Sequence, residues 1–63
     1  MSLIAEPNLP DSDAIYARLL AAHEGLSEAE SRALDARLVL ILINHVGDPD
    51  AIAEALRLAR ETL

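Results

Sequence analysis

The chain has 63 residues, a formal net charge of −6, five Arg and no Lys, no Cys, Phe or Trp, and 52% hydrophobic residues with Tyr16 the one aromatic. That charge excludes binding through a clustered positive surface, so neither nucleic acid nor an anionic membrane face is an expected partner. Without cysteine there is no disulfide and no thiolate metal site, and the longest apolar run is too short to span a bilayer.

A domain of this length buries only about 60% of its unfolded surface, and about 1.5 kcal/mol of ordering entropy per residue opposes it. Small folds therefore need a staple. With no disulfide available, the expected staple is another chain. Met1–Ala5 has no basic segment and too short an apolar run for a secretory signal, so a cytoplasmic protein is the expectation.

Residues 1–10 carry Pro7 and Pro10, which hold the residues before them extended, and they read as an arm. Leu3, Ile4 and Leu9 give that arm apolar surface to lay against a helix or a partner. Residues 11–63 read as one all-α domain, a compact bundle of three helices. The first runs from about Asp11 to His23, capped by Asp11 or Ser12 with Asp13 in the first turn. Ile15, Leu19 and Ala22 form its apolar stripe, with Tyr16 and Leu20 beside them. Gly25 reads as the left-handed residue that ends it, with Leu26 as the apolar clasp.

Ser27-Glu28-Ala29-Glu30 matches the capping box that opens a second helix, expected to run to about His45. Glu28 and Arg32 are spaced to pair at i, i+4. This helix is the centre of the chain, because Leu38-Val39-Leu40-Ile41-Leu42-Ile43 clothes it in apolar surface on every side. A helix apolar all round has to be buried all round. Gly47 reads as its left-handed stop. Asp48-Pro49 then supplies an N-cap and a first-turn proline for a third helix reaching about Arg60. Its expected inward stripe is Ile52, Ala55, Leu56, Ala59 and Leu63.

No catalytic signature and no cofactor-binding pattern is present, so a non-catalytic protein with no cofactor is expected. His23 and His45, the two histidines, each stand in the last turn of a helix, where an imidazolium meets free carbonyls. A metal or acid–base role for the pair is the alternative, but no cysteine and no H-E-x-x-H spacing supports it. Ser27 invites comparison with the prosthetic-group serine of acyl carrier proteins, yet Leu26 precedes it, Glu28 follows it, and it already caps a helix. Arg37 and Asn44, with His45 alongside, draw a thin polar line down the apolar second helix. Either this line faces water, or it faces other protein and sets register and partner at some cost in stability. The expected interface is Arg37, Leu38, Leu40, Ile41, Leu42, Ile43, Asn44 and His45.

Glu6-Pro7-Asn8-Leu9, Ala22-His23-Glu24-Gly25-Leu26, Ala33-Leu34, Ala36-Arg37-Leu38-Val39-Leu40 and Asn44-His45-Val46-Gly47-Asp48 together resemble a family of short bacterial proteins, Domain of Unknown Function 2783. The resemblance covers nearly the whole chain. Asp35 stands where the family pattern has Asn, Ile15 where it has Phe, and Val46 where it has Ile. It implies no activity. The genes of such proteins lie near those of flavin-dependent oxidoreductases, which implies an accessory subunit of a larger enzyme as one form of the expected partnership, a homodimer being the other.

Overall fold

The computed structural model describes residues 3–63, and within them the protein is three helices in chain order with no strand: α1 (Ser12–His23), α2 (Glu28–Val46) and α3 (Pro49–Glu61). Each helix begins where side-chain chemistry satisfies its free amides. Asp11 accepts from the Ala14 amide at 3.1 Å, and Asp48 accepts from the Asp50 amide at 3.0 Å with Pro49 opening α3. At α2 both halves of the capping box are made. The Glu30 amide donates to Ser27 Oγ at 3.1 Å, and the Ser27 amide donates to Glu30 Oε1 at 2.9 Å. Among the described residues Glu28 and Arg32 form no ion pair, so the expected support on the outer face of that turn is missing.

The two helix stops differ in construction. Gly47, at φ 67°, is left-handed directly after α2, and its amide reaches the Ile43 carbonyl at 3.0 Å. After α1, Glu24 is extended (φ −61°, ψ 135°) and Gly25 follows at φ 76°, with the Leu26 amide donating to the His23 carbonyl at 3.3 Å. Gly25 is thus at positive φ as expected, but at the third position of a type II turn, one residue beyond the extended Glu24. Both glycines hold a φ that L side chains resist.

The helices enclose little. Among the described residues only Ala51 is buried, at 5% exposure, and no large side chain is fully covered. It sits in the first turn of α3, where the short Gly47-Asp48 connection draws the backbones of α2 and α3 together. A stripe chosen by large side chains passes over it. Ile52, Ala55, Leu56 and Ala59 of the expected inward stripe all line the groove against α2, with Ile52 and Ala55 half-buried and Leu56 still exposed, whereas Leu63, beyond the end of α3, is wholly exposed and does not belong to it. Leu3 lies beside α2 and α3 residues in the groove between those helices, so one apolar residue of the arm does lie against the helices. Residues 1 and 2 of the expected arm lie outside the described residues.

Openness can be put in numbers. The radius of gyration is 13.3 Å, where a compact chain of this length would have about 10.6 Å. The surface is 5597 Å² against about 4000 Å² for a folded monomer of 6.8 kDa. The class expected from the sequence is present; the compactness is not.

Replacing either glycine with alanine tests the two turns by themselves. An added Cβ would meet nothing within 4 Å at Gly25 and only the Asn44 carbonyl, at 3.8 Å, at Gly47. The cost is therefore conformational, about 1 kcal/mol for each of Gly25→Ala and Gly47→Ala in thermal or denaturant unfolding. Unchanged unfolding in both variants would contradict the left-handed geometry.

Candidate functional site

The polar centre of the molecule is a bridge from α1 to α2. His23, in the last turn of α1, points Nδ1 at the Leu19 carbonyl (2.8 Å) and Nε2 at Asp35 Oδ1 (2.7 Å) on α2. Both neighbours accept, so satisfying both requires two ring protons, and that is the imidazolium. The hydrogen bond to the Leu19 carbonyl, then the hydrogen bond to Asp35, raise the pKa above its ordinary 6.5. The side chain is 23% exposed and Asp35 is 59% exposed, so the bridge is wet and orients more than it binds. Asp35 thus ties the end of α1 to α2.

While protonated, His23 donates from both nitrogens; above its raised pKa one of them regains a lone pair. His45 is exposed in the last turn of α2, and no hydrogen bond or ion pair joins the two histidines. Among the described residues no group of three or more His, Cys, Asp or Glu is placed to hold a metal ion. Ser27 spends its hydroxyl on the capping box, as the helix start requires.

The larger feature is apolar. An open groove of about 1060 Å³ runs between α1 and α2. From α1 it takes Ile15, Arg18, Leu19 and Ala22, and from the connection Leu26. From α2 it takes Glu30, Ala33, Leu34, Arg37, Leu38, Ile41 and Leu42. Both sets follow i, i+3, i+4, i+7, the spacing of one helix face. A smaller groove of about 340 Å³ lies between α2 and α3, with Leu42, Ile43 and Ala51 among its walls. Leu42 borders both, so α1 and α3 lie against different sides of α2.

The expected interface residues divide between these surfaces. Arg37, Leu38, Ile41 and Leu42 line the first groove, and Leu42 and Ile43 the second. Leu40, Asn44 and His45 line neither and stand on exposed helix surface. Val39, Leu40, Ile41 and Leu42 are each between 50% and 67% exposed, so a helix that needs cover on every side has it on two. The α1 stripe with Arg18, and Glu30 with Ala33 and Leu34, belong to the groove but were not among the expected interface residues. Their signal was the helical spacing itself. What was missing was which two faces the short connection would set side by side.

Arg18 and Arg37 make no hydrogen bond or ion pair with any described residue, and Glu30 is held at the groove's end by Ser27. No described helix is long and apolar enough to cross a membrane. What the fold and groove define is a small all-α protein with an open apolar groove between α1 and α2. The chain belongs to the family described as a protein of unknown function, DUF2783, whose model matches residues 3–61. No curated protein and no solved structure matches it.

The histidine bridge has a pH dependence with a definite sign. A pKa raised on folding means that the bridge contributes its full stability below the ordinary value of 6.5 and loses it as pH rises through the higher folded value. Unfolding followed from pH 5.5 to 8.5 should show stability falling toward the alkaline end. His23→Gln should remove that component of the slope. An unaltered slope in the variant would show the bridge absent in solution.

Proposed function

We propose that this protein is a non-catalytic interaction module, self-associating or serving as the accessory subunit of a larger enzyme, which works through the surface of α2. One observation carries the reading: the groove between α1 and α2 is apolar, continuous and open. Exposed apolar patches of more than a few hundred Å² are rare on monomers and mark interaction sites. The surface of 5597 Å² exceeds the monomer expectation by about 1600 Å², twice what one partner contributes to a standard interface. Part of that excess is the extended arm, and the rest lies on helix faces.

The polar residues fit the same reading. Arg37 at the groove and Asn44 about two turns further along α2 would meet acids and carbonyls of another protein, fixing register where apolar contact alone would slide. Leu38, Ile41, Leu42 and Ile43 supply the apolar area, and Leu40, Asn44 and His45 extend the contact beyond the grooves. The flavin-dependent enzyme suggested by the family resemblance is one form the partner takes. A cytoplasmic location agrees with the reading.

The test is Ile41→Asp. In an isolated chain Ile41 is 64% exposed, so the change should alter stability by less than about 0.5 kcal/mol. In an assembled protein it places a carboxylate in a dry contact. It should then weaken assembly by at least about tenfold and lower the melting temperature in a concentration-dependent way. Sedimentation and melting, each over a range of concentrations, read the two. A variant that sediments and melts as the parent does would refute the proposal.

A further inference from the structure

Resting on that reading, we infer that the occupant of the α1–α2 groove is a second copy of this chain, set antiparallel about a two-fold axis that passes between Ala33 and Leu34, with Glu30 of each copy paired to Arg37 of the other.

The argument begins with reciprocity. In a two-fold interface one patch meets itself, so if residue i faces residue j, then j faces i. Such a patch must therefore carry its own complement at mirrored positions. This groove does. Measured from the midpoint between Ala33 and Leu34, Glu30 and Arg37 stand at equal distances on opposite sides, and both line the groove. Antiparallel pairing of α2 against α2 brings each carboxylate opposite a guanidinium, twice over. The same axis sets Ala33 against Leu34, small against large, and Leu26 against Ile41 at the two ends. Every one of these six residues lines the groove in the single chain.

Both charged groups are available for this. The Ser27 amide takes Glu30 Oε1 at 2.9 Å, leaving the other carboxylate oxygen for the partner, and Arg37 has no partner among the described residues. The hydrogen bonds from Ser27 also hold Glu30 ionised, its pKa lowered below the usual carboxylate value. The groove suits self-pairing at longer range too. The chain carries −6, and two copies repel over most of their surface. The α1–α2 groove, with Arg18 and Arg37 against Glu30, is locally positive and so is the face by which two copies approach at least cost.

The area agrees. Of the roughly 1600 Å² of surplus surface in each chain, part belongs to the arm, and half of the total, on helix faces, would meet the need of a stable dimer, which takes about 800 Å² from each partner. Two helical hairpins joined groove to groove make a four-helix arrangement in which Leu34 and Ile41 are covered from outside their own chain.

The experiment is a charge exchange on the full chain, read by sedimentation and by mass spectrometry of mixtures. The parent should sediment at low micromolar concentration at twice the 6.8 kDa of one chain. Arg37→Glu sets carboxylate against carboxylate twice, and Glu30→Arg sets guanidinium against guanidinium. Each should weaken the dimer at least about tenfold. Mixed in equal amounts, the two variants should form a heterodimer close to parental strength, because both pairs are then restored. Glu30→Arg also removes half of the capping box; Glu30→Gln keeps the box, loses the charge, and should weaken the dimer less than reversal does.

Failure of the homodimer is distinguishable from failure of the interaction reading. A dimer indifferent to both reversals, or a mixture that does not pair, overturns the axis and leaves self-association by another face. A monomer with weak, non-cooperative melting overturns self-pairing while agreeing with a missing partner of another kind. A monomer that is fully helical and melts cooperatively overturns both.

Discussion

Six consecutive apolar residues of α2, Leu38 to Ile43, given neighbours on only two sides, are the constraint on which this molecule depends. Leu34, Leu38 and Ile43 are half-buried while Val39, Leu40, Ile41 and Leu42 remain at least half exposed. Burying apolar surface contributes about 25 cal/mol per Å². In a chain of 63 residues, faces left in water forfeit much of what has to offset the ordering entropy. The single chain exposes 5597 Å² where complete unfolding would expose about 9900 Å², so it buries roughly 43% where a domain of this size reaches about 60%. The shortfall lies partly in the arm and partly on helix faces, those of the groove among them.

Local chemistry sets the helix ends independently of that shortfall. Asp11, Ser27 and Asp48 cap three helices through bonds that span two or three residues, and Gly47 closes α2 in the residue that follows it. Such signals need no knowledge of tertiary structure, which is why the helices could be placed from the amino acids to within a residue or so. Gly25 shows where this stops. That glycine at a helix end takes positive φ was legible, but the turn it joins depends on where α2 must go, and an extended Glu24 makes it type II.

The site was legible only in part, for the same reason. Arg37, Leu38, Ile41 and Leu42 stood out because their own helix is unusual, and they do line the groove. Ile15, Leu19 and Ala22 were read as the apolar stripe of the first helix, and they form a wall of the groove, still open to solvent. The His23–Asp35 bridge joins residues twelve apart across a turn, and no periodicity within one helix records it. The clue available was chemical. A histidine ending α1, followed by so short a connection, is bound to come near the acids early in α2.

Amide hydrogen exchange along α2, followed over a hundredfold dilution, bears most directly on the claim that this helix is covered by another chain. If a second copy covers it, protection at Leu34 through Ile43 falls as the protein is diluted, while the capped first turns of α1 and α3 change less, since local bonds hold them. Protection along α2 that is high and independent of concentration down to the monomer would contradict the account. It would mean that two neighbours suffice for a helix that, on the physical argument here, needs more.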